Sequence, residues 1–178
     1  MVCFENVFLA CMLLLGSALA VKQSQHSDNG RLNCGIFGSG DISAAENMLL
    51  KMRYQDLKNK VFTIKPGRCD RVHCFDTTAV YVCNDGRLNA VLKGQWIAKG
   101  MQCILDNCCK TVMTGTTYHH GLSGQYFVSG MGQNMNINIG YGNCRDPPSI
   151  RPSNAGGWNV NGVCAGGVLN PASVRCEI

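Results

Sequence analysis

Residues 65–85, KPGRCDRVHCFDTTAVYVCND, hold Cys69, Cys74, Cys83, His73, Asp70, Asp76 and Asp85 within 21 positions. Cys103 and Cys108, in CILDNCC, repeat the C-x4-C spacing of Cys69 and Cys74. Thiolates, imidazole and carboxylates set this closely can ligate zinc or supply acid–base and nucleophilic catalysis. The thiols can equally close disulfides. Which chemistry wins depends on the redox compartment in which the chain folds.

The chain opens MVCFENVFLACMLLLGSALA. An apolar run from Val7 to Leu15 and the small-residue ending Ala18-Leu19-Ala20 form the pattern of a secretory signal peptide cleaved after Ala20, although Glu5 stands where a Lys or Arg is usual. The run is far short of the roughly 20 apolar residues that span a bilayer. The expectation is an exported, extracellular protein that does not span a membrane, the apoplast being one such destination. After cleavage ten cysteines remain: Cys34, Cys69, Cys74, Cys83, Cys103, Cys108, Cys109, Cys144, Cys164 and Cys176. An even number in an oxidising compartment argues for five disulfides. A four-cysteine zinc site (Cys69, Cys74, Cys103 and Cys108) would leave six thiols unexplained. No metal and no other cofactor is expected. Spacing leaves the pairing open, apart from an expected local bridge between Cys164 and Cys176.

The histidines are His26, His73, His119 and His120. A secreted ribonuclease would pair His73 with His119 or His120 and bind phosphate with a lysine or arginine, but nothing in the spacing supports it. The plainer reading makes His73 a strand residue beside a bridged Cys74, and places His119 and His120 in an exposed loop. A glycosidase needs two facing carboxylates, and most of the ten acids left after cleavage fall at caps, turns or helix ends. No G-x-S-x-G, H-E-x-x-H or phosphate-loop motif occurs. The reading is therefore no enzyme and no catalytic residue. A cell-wall glycan-binding module is the alternative class, with Trp158 in GGWN as the candidate exposed platform and Trp96 assigned to the core.

Charge gives a second candidate interaction surface. The exported chain has 16 Lys plus Arg against ten acids, a formal +6. Lys51, Arg53, Lys58, Lys60, Lys65, Arg68 and Arg71, opposed by Asp56 and Asp70, place +5 of it within 21 residues. Such concentration attracts an anionic membrane surface, an acidic polysaccharide or an acidic protein face. The bland alternative is a solvated outer helix face. Nucleic acid is not expected, because no aromatic residues interleave with the cations to stack bases.

Elements must position these groups. Residues 43–58 begin with Ser43 and Glu46 at capping-box spacing, and Ile42, Ala45, Met48, Leu49 and Met52 share one helical face. A second helix over 91–108 aligns Leu92, Trp96, Ile97, Met101, Ile104, Leu105 and Cys108, with Gly94 and Gly100 weakening it. Strand patterns cover 32–37, 61–64, 71–75, 79–84, 124–130 and 135–142, the last alternating Met135, Ile137, Ile139 and Tyr141 with Asn and Gly as a half-exposed strand. The prediction is an α+β domain over 31–144: an antiparallel sheet with two helices on one face, stapled by disulfides. It follows a mobile leader (21–30). It precedes an irregular Gly/Pro-rich tail (145–178) held by Cys164 and Cys176.

One resemblance joins these signals. C-x4-C followed by AVYVCND, then IAKGMQCILDNC, then SGQYF and NINIGYGNC, resembles small secreted fungal cysteine-rich proteins and the killer toxins of smut fungi. It covers roughly Leu32 to Cys144, and the chain departs from it in the adjacent Cys108-Cys109 pair and in the tail. The resemblance implies a monomeric five-disulfide α/β sandwich. It further implies a non-enzymatic toxin or effector, active in virulence or avirulence on a protein or anionic surface of a host or competitor cell. Smut toxins act on calcium channels of target cells, and none of their functional residues is carried onto this chain.

Overall fold

The computed structural model describes residues 30–114, 117–130, 133–157 and 174–175. The signal peptide, nearly all of the leader, Trp158, Cys164 and Cys176 lie outside the described residues. The main sheet is antiparallel throughout, in the order β10 (Val174–Arg175), β1 (Arg31–Cys34), β8 (Gly124–Gly130), β9 (Gln133–Tyr141), β4 (Thr78–Asn84) and β3 (Cys69–Phe75). Its register lays apolar side chains in rows across one face. Leu32 stands beside Tyr126, then Ile137, then Val82. Those four are at most 1% exposed and belong to one core cluster with the buried residues of both helices. Two helices on one face of an antiparallel sheet is the α+β architecture expected.

Helix α1 (Ile42–Tyr54) buries Ala44, Ala45, Met48, Leu49 and Met52, and α2 (Gly94–Asn107) buries Ile97, Ala98, Met101, Ile104 and Leu105. The start of α1 differs from the capping box assigned to Ser43. Asp41 is the cap, its carboxylate accepting from the Ala44 amide at 2.8 Å. Asp41 is itself held by its own N–H donating to Thr78 Oγ1 at 2.7 Å, so the sheet decides where the helix begins. Helix α2 starts three residues later than expected. Residues Ala90–Lys93 form β5, paired antiparallel with β2 (Val61–Ile64). AVLK alternates buried Ala90 and Leu92 with exposed Val91 and Lys93, a period of two that a strand satisfies and a helix does not. With Leu92 removed from the helical stripe, Trp96 loses its place in the core. It is 49% exposed, with Lys99 Nζ 4.3 Å from its ring centroid.

Two further differences concern the later strands. Strand β9 is central, not half-exposed: Asn136 and Asn138 are as buried as Ile137 and Ile139. Their amides form a chain in which Asn138 Nδ2 donates to Asn136 Oδ1 and Asn136 Nδ2 to Asp85 Oδ2, which offsets much of the cost of burying them. A hairpin of β6 (Thr111–Thr114) and β7 (Thr117–His120) occupies the region read as a loop, so His119 and His120 are strand residues.

Three bridges join described residues. Cys34–Cys108 ties β1 to the end of α2, Cys69–Cys83 crosses β3 and β4, and Cys74–Cys144 fastens β3 to the segment after β9. Cys103 and Cys109 are disulfide-bonded as well. The expected Cys164–Cys176 bridge falls outside the described residues.

Candidate binding site

The bridges answer the question raised by the doubled C-x4-C spacing. Cys69 and Cys74 lie five residues apart on β3, yet one pairs with Cys83 and the other with Cys144, while Cys108 pairs with Cys34. Sulfurs committed to carbon-chain cross-links are not available as thiolate ligands. Among the described residues no group of three or more His, Cys, Asp or Glu is placed to hold a metal ion.

The histidines separate in the same way. Strand β3 directs His73 toward α1, opposite Val80, whereas His120 is exposed at the end of β7 opposite Thr111. His73 lines a cleft of ≈ 230 Å³ together with Asn47, Met48, Leu50, Lys51 and Gln55, which lie along α1 and at its end, and Phe75 of β3. The described lining contains no second histidine and no carboxylate. His73 Nε2 is buried and has no hydrogen-bond partner among the described residues. Burial is the main cause that holds the His73 pKa below its ordinary value; Lys51 and Lys60 add to it and Asp56 opposes it. The ring is therefore biased toward its neutral form. At the mouth, Leu50 is 45% and Phe75 54% exposed.

The seven cations of 51–71 do not form one equivalent set. Lys51 is half-buried in the cleft wall. Arg53 donates to Gln102 of α2 at 3.1 Å and lies over the Tyr54 ring, and Lys60 lies over the Phe62 ring. Arg71 stands apart, its guanidinium donating to the carbonyls of Asn143, Cys144 and Asp146. That contact secures the chain beyond β9 to the sheet edge, so Arg71 has a structural task. Lys58, Lys65 and Arg68 are exposed, in the turn after α1 and in the β2–β3 connection. The sequence found the charges and missed the cleft, because His73 and Lys51 meet only once α1 is laid against β3.

Of the two tryptophans, Trp96 has one exposed ring, and Lys99 lies over it. Trp158, the expected glycan platform, lies outside the described residues. No helix among the described residues is long and apolar enough to cross a membrane. No protein-family model, curated protein or solved structure matches the chain.

Proposed function

We propose that the chain is a secreted effector or toxin-like protein that acts without catalysis, by binding an acidic protein face or anionic surface of a host or competitor cell. The observation that carries this reading is the exposed positive charge of Lys58, Lys60, Lys65 and Arg68, on the short connections from α1 to β2 and from β2 to β3, the strand that two disulfides hold. Short connections between packed elements need little backbone ordering on binding, which confines the entropic cost to the side chains. The use of eight described cysteines in disulfides fits an oxidising, extracellular route. The resemblance to smut-fungus killer toxins points the same way. His73 is set in a cleft with no carboxylate or second imidazole in the described lining, which favours binding over ribonuclease chemistry.

The test applies purified, oxidised protein to plant and fungal cells and, in parallel, to RNA and to cell-wall glycans. The expected outcome is binding to one class of cell, with growth or viability altered, and no hydrolysis. Cleavage of RNA or glycan would overturn the non-catalytic reading. Retention on chitin, glucan or cellulose without effect on cells would favour a glycan-binding module.

A further inference from the structure

We infer that the β2–β5 ribbon and the start of α2 lie on the headgroups of an anionic phospholipid bilayer, with Val61, Leu88, Val91 and Trp96 entering the interface. The inference rests on the effector reading above and names the chemistry of the surface that the cations meet.

Register makes the ribbon two-sided. Val61 stands opposite Lys93 and Thr63 opposite Val91, and all four are exposed. Phe62, Ile64, Ala90 and Leu92, which alternate with them, enter the core. The ribbon runs directly into α2, because the amides of Gly94 and Gln95 donate to the carbonyls of Lys60 and Lys58, both at 3.0 Å. Trp96 follows, with Lys99 over its ring. Leu88 lies at the opposite end, where its carbonyl and that of Ile64 accept from the same Asn84 amide nitrogen. Val61, Leu88, Val91 and Trp96 are 49–71% exposed, so water meets a row of large apolar groups here.

Charge decides what covers them. Residues 58–65 and 87–99 contain Lys58, Lys60, Lys65, Arg87, Lys93 and Lys99 and no Asp or Glu. Arg87, Lys93 and Lys99 fall outside the basic run of 51–71 in the sequence, and the pairing of β2 with β5 brings them to it. Of the flanking acids, Asp85 accepts from Asn136 Nδ2, and Asp56 opposes the six cations with a single charge. A second copy of the chain would set these cations against themselves. An acidic polysaccharide would match the charge and leave the apolar side chains in water. An anionic bilayer takes both. Aliphatic side chains reach the acyl boundary, an indole settles at the headgroups, and lysine stems cover apolar surface while their ammonium groups meet phosphate. Each cation near such a surface contributes about fivefold to affinity.

The test is co-sedimentation of the purified, oxidised protein with vesicles of phosphatidylcholine alone and of equal parts phosphatidylcholine and phosphatidylserine, with polyglutamate and polygalacturonate binding measured in parallel. Wild type should bind the phosphatidylserine vesicles and not the neutral ones. Arg87→Gln with Lys93→Gln should weaken that binding about thirtyfold. Val61→Thr with Val91→Thr keeps the β-branching that suits both strands and removes only apolar surface. It should weaken binding about fivefold, which an attraction of charge alone would not show. In Trp158→Phe protein Trp96 is the sole tryptophan, and its emission should move to the blue on anionic vesicles. Equal binding to both kinds of vesicle or to neither, tighter binding to polyglutamate or polygalacturonate, unchanged Trp96 emission, or a double threonine variant that binds like wild type would each overturn the inference. The effector reading fails separately: it falls if the protein binds no cell, whereas cell binding without vesicle binding sinks this inference alone.

Discussion

At His73 the imidazole is half-buried, its Nε2 has no hydrogen-bond partner among the described residues, and Lys51 and Lys60 act against its charge, so the consequence is a pH-dependent stability. Its folded-state pKa is lowered from 6.5. Above 6.5 the ring is neutral in both states and adds no slope. As pH falls below that value the unfolded chain takes up the proton first, so stability declines until the folded-state value is passed. The prediction is that urea unfolding of wild type loses more free energy between about pH 7.5 and 5 than that of His73→Gln, carboxylate titrations being common to both. Parallel curves would contradict the burial argument. Sequence revealed little at this scale: it placed His73 on a strand next to a bridged cysteine, but a strand pattern does not say what lies against it. Arg71 makes the same point. It reads as one more cation in a basic run, yet its guanidinium is committed to three carbonyls 72 to 75 residues away in the chain.

Elements were more legible where periodicity runs long and least legible at their ends. The buried face of α1 and the strands at 61–64, 79–84 and 124–130 follow from spacing alone. The four residues preceding α2 did not, because AVLK fits a short strand and a helical turn equally until β2 is there to pair with it. Gly100 is the informative case. Propensity treats it as a flaw in the helix, but α2 lies close against the sheet there: a Cβ would sit 2.5 Å from Ile137 Cδ1 and 3.1 Å from Tyr126 Cδ1. Replacing glycine with alanine in a helix gains about 1 kcal/mol from propensity, while overpacking a filled core costs about 1–3 kcal/mol. Ile137 and Tyr126 are both 1% exposed and have little room to move, so the second effect should win. Gly100→Ala is expected to destabilise by roughly 1–2 kcal/mol in chemical denaturation. A stabilised variant would mean that α2 rides higher on the sheet than described.

For the whole molecule, the cysteine count set the class and could not set the pairing, since ten thiols along a chain carry no record of which strands become neighbours. Once the sheet order is known, Cys69 and Cys83 face each other across β3 and β4, and Cys74 reaches Cys144 just beyond β9. Two of the bridges hold β3, and the cations stand on the connections that run from α1 through β2 to it. The central claim is that this charge binds the target. Substituting Lys58, Lys60, Lys65 and Arg68 together by glutamine removes four exposed charges at about 0.5 kcal/mol each, so roughly 2 kcal/mol or thirtyfold in Kd. The decisive measurement is the affinity of labelled wild-type and quadruple-variant protein for responsive cells across a range of salt concentrations. Wild type should bind about thirtyfold tighter at low salt, and the gap should close as screening shortens the reach of exposed charges. A correctly folded variant that binds as tightly as wild type at every salt concentration would contradict the account.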